Sequence, residues 1–283
     1  MTVEPEPTTL AVDPGYAPPS GVRWGLRQAG AGLGLFVLVL VTANLLVLAG
    51  IVVPSDAAQF ALSLAGYGAL VATVLYASRR LGQRSLARDF WLRFRPIDLA
   101  IGLGIALLGK VVGIVWGLIG IGLFGVPQQQ SNFALSTDTF WLVLNGIVLV
   151  ALVAPFVEEL FMRGLLMHAI RNAILRRRGR AQPAPQNVQR VALLVSIAGS
   201  ALVFMALHLY QATDLSMLVV LGGQTLTLGV FNGVIVYLTQ RLGPAIVAHV
   251  VFNGISVATL FAVTALGQRP ARLAGGAASA RFD

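Results

Sequence analysis

The sequence predicts an all-α fold, a polytopic transmembrane helical bundle of about seven to eight spans. Of its 283 residues, 57% are hydrophobic and only 11% are charged, and the mean hydropathy is +0.81. Soluble domains carry about 25% charged residues, so this chain cannot cover a folded surface with side chains that water solvates. The same composition excludes a disordered protein, which needs low hydrophobicity and high charge. Apolar stretches of the length that crosses a bilayer, about 20 residues, recur along the chain.

These stretches divide the chain into one membrane domain and two tails. Residues 1–22, rich in Pro and acidic residues, predict a disordered cytoplasmic tail, and the small and polar residues 267–283 predict a second disordered tail. The transmembrane helical domain is predicted at 23–266. Its spans are expected at residues 29–53, 57–77, 97–124, 139 to beyond 158, 191–209, 215–238 and 245–266. The many glycines of the third span allow close approach of neighbouring helices.

The basic residues report the orientation of these spans. Of the 20 basic residues, 19 are Arg, and the loops after spans two and four are rich in Arg, whereas the loops after spans one, three and five contain neither Lys nor Arg. Basic loops stay in the cytoplasm, so the N-terminus and the basic loops are predicted to be cytoplasmic. The net charge of +9 therefore reflects topology, and nucleic-acid binding is not expected. Seven spans place the C-terminal tail, with Arg269, Arg272 and Arg281, outside. Either this tail is an exception to the rule, or an eighth element returns it to the cytoplasm.

The fourth span carries two adjacent carboxylates in the string VEELFMR at 157–163. A charge at membrane depth is costly and is a candidate functional group. Glu159 and Arg163 are four residues apart on a helix, so they share a face and are predicted to pair. Glu158 points about 100° away and is expected in a different environment, which suits a general base beside a structural carboxylate. The alternative is an ion-pair cluster with a purely structural role.

Two further candidate groups contain His. Phe204 and His208 share a helix face at the end of the fifth span, and His249 and Asn253 share a face in the seventh. Imidazole and amide groups supply both donors and acceptors. The alternatives are a core histidine with satisfied hydrogen bonds and a polar contact between packed helices. The strings EExxxR, FxxxH and HxxxN, in this order on three spans, form a specific constellation that three unrelated packing solutions rarely produce.

These strings resemble the signature of the CPBP family of membrane proteins, which covers CAAX proteases, bacteriocin-processing proteins and Abi proteins and is also called type II CAAX endopeptidase-like. The resemblance covers residues 139–265, about half of the chain, and predicts the catalytic core there. It implies an endopeptidase that cleaves a peptide bond near the cytoplasmic side of the membrane. The implied substrate is a peptide or protein in or at the bilayer, and the residues do not specify a prenylated one.

The resemblance also implies a role for each motif residue. Glu158 would activate a water with His208 close to it, while His249 and Asn253 would stabilise the oxyanion and hold the water. Glu159, Arg163 and Phe204 would support the site. The residue types independently permit this chemistry, because amide hydrolysis needs a base, a water and donors aimed at the oxyanion.

A metal mechanism is the alternative within the same reaction. Two His and one carboxylate form a familiar zinc ligand set, so the ligands would be Glu158, His208 and His249. We favour a mechanism without a cofactor, because Arg163 already places positive charge beside the carboxylates. Zinc remains the alternative.

Two other functions stay open from the sequence. The protein could be a catalytically idle member of the fold that binds peptides as an immunity or scaffold protein. It could also be a small-solute transporter with a buried proton relay.

Lys110, the sole Lys, lies inside the third span and could pair with Glu159, line the cavity or extend to the membrane surface.

The Arg-rich, Lys-poor composition indicates a GC-rich bacterial source, and therefore the bacterial cytoplasmic membrane.

Overall fold

The computed structural model describes residues 22–126, 136, 138–176 and 185–279, and all of its regular elements in these ranges are helices. Seven of the helices in the described part are long and apolar enough to cross a membrane. The predicted all-α polytopic bundle is confirmed. The predicted N-terminal tail, except Val22, lies outside the described residues.

The helices lie close to the predicted spans. In chain order they are α1 (Leu26–Leu48), α2 (Asp56–Leu81), the short α3 (Leu86–Asp89), α4 (Ile97–Phe124), α5 (residues 139–176), α6 (Gln186–Ala206), α7 (Leu215–Thr239) and α8 (Gly243–Ser279). A 3₁₀ turn, Leu209–Gln211, follows α6. α8 extends to Ser279, past residue 266, after which the sequence predicted a disordered tail.

Polar residues before the apolar stretches set where several helices begin. The side chains of Ser55 and Asp214 accept hydrogen bonds from the backbone N–H groups three residues on, at 3.2 and 2.8 Å, at the starts of α2 and α7. Asp138 accepts from the N–H groups of Phe140 and Trp141 at the start of α5. These acceptors satisfy N–H groups that have no partner within their own helix.

α5 is not a uniform α-helix. It consists of five consecutive segments, which are α-helical at Thr139–Trp141, π-helical at Leu142–Val153, α-helical at Ala154–Glu159, π-helical at Leu160–Leu166 and α-helical at Met167–Arg176. π-Helical backbone is rare in proteins, and where it occurs it often lies at a functional site. The two adjacent carboxylates of the sequence end the α-helical segment between the two π-helical ones.

α5 lies at the centre of the bundle. It contacts α2 along both π-helical segments, α8 along its first half, and α6 along its second half, and α7 also reaches its second π-helical segment. Its buried side chains Leu160, Phe161, Met162 and Leu165 are at most 3% exposed. Large apolar side chains on the outer faces of the bundle are exposed, as expected where helices face hydrocarbon. The charged residues of α5 therefore face α2, α6, α7 and α8.

Candidate active site

Glu159 and Arg163 form a fully buried ion pair on α5. A guanidinium nitrogen of Arg163 lies 3.2 Å from Glu159 Oε1, and both side chains are 0% exposed. The predicted i,i+4 pairing is thereby confirmed. The side chain of Glu158 is 12% exposed, so the two adjacent carboxylates do occupy different environments. Only Glu158 keeps contact with the surface of the protein.

His249, on α8, lies between the two carboxylates. Its Nδ1 lies 2.9 Å from Glu159 Oε1, and its Nε2 lies 3.7 Å from Glu158 Oε2. An ionised carboxylate only accepts hydrogen bonds, so Nδ1 carries the proton and donates to Glu159. Nε2 is thereby directed at Glu158.

Phe204 links the second motif to this cluster. Its ring is 1% exposed and meets the His249 ring edge-on at 5.4 Å between centroids. The guanidinium carbon of Arg163 lies 4.8 Å from the centroid of Phe204, a distance within the range of cation–π attraction. The ring of His208 lies 4.5 Å from Phe204. Phe204 therefore contacts two of the predicted site residues and the supporting Arg163.

His208 lies just beyond the end of α6. Its Nδ1 donates to the carbonyl oxygen of Phe204 at 2.8 Å, since a carbonyl oxygen only accepts. This contact sets the ring orientation and directs Nε2 away from the helix. His208 is half-buried and approaches the cluster through Phe204.

Asn253 faces α5 one turn beyond His249. Its Nδ2 donates to the carbonyl oxygen of Val150 at 3.0 Å. In this π-helical ladder the N–H of Ala154 bonds to the carbonyl of Leu149, five residues earlier. The next donor would come from residue 155, which is Pro and has no N–H. Asn253 therefore supplies the hydrogen bond that Pro155 cannot give.

Comparison with protein-family models shows which family this part of the chain matches. Residues 139–255 match the model of the Rce1-like family, described as type II CAAX prenyl endopeptidase Rce1-like. These residues form an Rce1-like domain. The match confirms the resemblance predicted from the three motifs and lies within an integral membrane protein. Neither the comparison with curated proteins nor the comparison with solved structures found a match.

One site residue inside the Rce1-like domain escaped the sequence analysis. Asn232, on α7, is 0% exposed, and its Nδ2 donates to Glu159 Oε1 at 3.0 Å and lies 3.3 Å from the carbonyl oxygen of Ala245. Glu159 Oε1 thus accepts from Asn232 as well as from His249, and it forms the ion pair with Arg163. An Asn in an apolar span is the sequence signal for such a contact, but Asn232 lies in none of the three motif strings.

A second missed residue lies outside the Rce1-like domain. Tyr67, on α2, donates from its hydroxyl to Glu158 Oε1 at 3.2 Å. Nothing in the sequence of the second span marks this tyrosine, because its partner is 91 residues away. One carboxylate oxygen of Glu158 therefore accepts a hydrogen bond from Tyr67, and the other faces His249.

The zinc alternative can be tested on these contacts. In the described part of the chain, no three His, Cys, Asp or Glu side chains are grouped so that they could hold a metal ion. Glu158 and His249 face each other, but His208 is oriented by the Phe204 carbonyl and does not complete a set with them. The donor set in the described residues does not fit zinc.

Lys110, on α4, belongs to a different contact. Its ammonium group donates to the Ser256 hydroxyl and lies 3.7 Å from the centroid of the Phe252 ring. Of the roles expected for Lys110, pairing with Glu159 is not what the structure shows. Lys110 therefore joins α4 to α8.

Proposed function

We propose that the protein is an intramembrane endopeptidase in which Glu158 activates a water that hydrolyses a peptide bond. The observation that carries this proposal is the position of His249 between a partly exposed carboxylate, Glu158, and a fully buried one, Glu159. The family match supports a protease of the CAAX type in general. The contacts described above supply a base, a donor and a rigid support for both.

The proposed reaction moves one proton through Glu158. The carboxylate takes a proton from water as the oxygen attacks the scissile carbonyl carbon. The resulting oxyanion accepts a hydrogen bond from the Nε2–H of His249 and from the Nδ2 hydrogen of Asn253 that is not bonded to Val150. Glu158 then gives its proton to the amide nitrogen and the C–N bond breaks. A carboxylic acid and an amine leave, and they exchange a proton to become a carboxylate and an ammonium group. His208 would hold the water through Nε2.

Buried side chains around Glu158 and His249 hold the proposed catalytic groups in place. Glu159 holds the tautomer and the orientation of His249, and Arg163 and Asn232 hold Glu159. Phe204 packs against both imidazoles. A base and a donor held by packing lose little free energy to reorganisation when charge develops on the substrate.

The proposed location is the cytoplasmic half of a bacterial cytoplasmic membrane. His249 lies eight residues, about 12 Å along a helix, from Arg241, which follows α7. Basic residues favour the cytoplasmic side, and the exposed arginines between α2 and α4 point to the same side. The proposed substrate is a peptide or protein held in or at the membrane, and nucleic acid is not an expected partner.

The test is cleavage of a library of membrane-tethered peptides by the full chain reconstituted in nanodiscs. We expect Glu158→Gln and His249→Ala to lower kcat at least about 10²-fold. Asp214→Asn is the matched control, because it makes the same carboxyl-to-amide change at a helix N-cap, where Asn serves as well as Asp. It should cleave like the wild type.

Each outcome of this experiment supports a different conclusion. Equal cleavage by all four proteins would show a contaminating protease and refute the site. Loss of wild-type cleavage on addition of a chelator would favour the zinc mechanism. Binding of library peptides without cleavage would favour the idle peptide-binding protein, and solute flux in proteoliposomes without cleavage would favour a transporter.

A further inference from the structure

Tyr67 contacts the proposed catalytic base from outside the Rce1-like domain. It lies on α2, and its hydroxyl donates to Glu158 Oε1 at 3.2 Å, whereas the family match begins at residue 139. A hydrogen bond to an ionised group is stronger than one between neutral groups. The side chains that contact Glu158 therefore include one that the family match does not cover.

The packing of α2 holds Tyr67 in this position. Leu70, Val74 and Ala77 are at most 1% exposed, and they follow Tyr67 at intervals that place them on the same side of the helix. The same three residues belong to one buried apolar cluster with Phe161 and Leu165 of α5. The Tyr67 ring also packs on Phe36 of α1 at 6.3 Å between centroids. The hydroxyl is thus presented to Glu158 by a buried helix face and an aromatic neighbour.

Because of this contact, the two carboxylate oxygens of Glu158 have different neighbours. Oε1 accepts from Tyr67, and Oε2 faces His249 Nε2 at 3.7 Å. We infer that Tyr67 is a positioning residue for the reaction proposed above. It holds Oε1 so that Oε2 is the oxygen that takes the proton of the attacking water next to His249. This inference rests on the proposed function and extends its active site to α2.

The kinetic test compares Tyr67→Phe with Tyr76→Phe in reconstituted full-length protein. Tyr67→Phe removes only the hydroxyl and keeps the ring on Phe36. Tyr76 lies on the same helix and is 56% exposed, so Tyr76→Phe is a matched control. We expect Tyr67→Phe to lower kcat about ten-fold, the size of one hydrogen bond to a charged group, with KM unchanged, because the base is displaced while substrate contacts remain.

A second readout does not depend on cleavage. The carboxylate stretching band of Glu158 can be assigned by its loss from the infrared difference spectrum of Glu158→Gln. We expect this band to shift in Tyr67→Phe, because one of its oxygens loses a donor, and to stay in place in Tyr76→Phe.

The two readouts separate failure of the inference from failure of the function. Wild-type kcat in Tyr67→Phe, or an equal loss in Tyr76→Phe, would overturn the role of Tyr67 while cleavage by the wild type upholds the peptidase. If the wild type cleaves no peptide, the proposed function fails. Whether or not cleavage is seen, an unshifted infrared band in Tyr67→Phe overturns the contact between Tyr67 and Glu158. A rise in KM at constant kcat would also overturn the positioning role.

Discussion

Glu159 accepts a hydrogen bond of 2.9 Å from Nδ1 of His249, which lies 90 residues further along the chain. This contact joins α5 to α8 at the centre of the bundle. It determines which nitrogen of His249 faces Glu158, because the proton on Nδ1 is held by the buried carboxylate. Glu159 is therefore predicted to matter for stability, whereas Glu158 is the proposed catalytic base.

Glu159→Gln is predicted to destabilise the protein by about 3–5 kcal/mol, because it leaves the buried guanidinium of Arg163 without its carboxylate. Glu158→Gln, whose side chain is partly exposed, should cost less than about 1 kcal/mol. Thermal unfolding of both variants in the same detergent measures the difference. Equal unfolding temperatures would contradict the division of the two carboxylates into a structural and a reactive one.

Asn253→Leu is predicted to cost about 1 kcal/mol, the usual size of a hydrogen bond between membrane helices, because the Val150 carbonyl loses its donor. Pro155→Ala restores a backbone N–H that can bond to this carbonyl. Asn253→Leu should therefore cost clearly less in the Pro155→Ala background, and a double-mutant cycle of unfolding free energies measures this coupling. The same cost in both backgrounds would refute the role assigned to Pro155.

Gly223→Ala is predicted to destabilise the packing of α4 on α7 by about 1–3 kcal/mol. A Cβ at Gly223 would collide with the ring of Trp116, whose indole N–H donates to the Thr227 hydroxyl at 3.1 Å and holds the ring in place. Gly117→Ala, beside Trp116 on α4, is the control, since a Cβ there meets nothing within 4 Å. Unfolding in detergent should separate the two variants, and an unchanged Gly223→Ala would disprove the close contact.

Lys110→Met is predicted to leave the cleavage rate within about two-fold of the wild type. Lys110 contacts Ser256 and Phe252 and does not contact Glu158 or Glu159, and Met keeps a side chain of similar length. The peptide assay in nanodiscs measures the rate. A loss as large as that expected for Glu158→Gln would place Lys110 in the site.

Asp98→Asn is predicted to weaken the junction at the start of α4 by about 1–3 kcal/mol, the range for hydrogen bonds to charged groups. Asp98 is 0% exposed and accepts from Arg241 at 2.6 Å, and this hydrogen bond raises the pKa of the Arg241 guanidinium. Unfolding should respond less to Arg79→Gln, which removes an exposed arginine on α2. Equal effects would show that the ion pair contributes nothing specific.

Much of the fold and the local pairing within the candidate site could be predicted from the sequence alone. Composition and the length of the apolar stretches determine the helical bundle, because backbone polar groups in a bilayer must be satisfied within helices. Spacing on one helix determines local pairs, and the Glu159–Arg163 contact follows from a separation of four residues. These are local properties, and the sequence shows them directly.

Contacts between helices were decided by tertiary structure. Tyr67 and Asn232 reach the carboxylates from α2 and α7, and no spacing within a span shows which turn of a helix will face which turn of another. The orientation of Asn253 likewise depends on the π-helical backbone of α5 and on the donor missing at Pro155. The physical reason is that a helix period determines which residues share a face, whereas packing in three dimensions determines what that face meets.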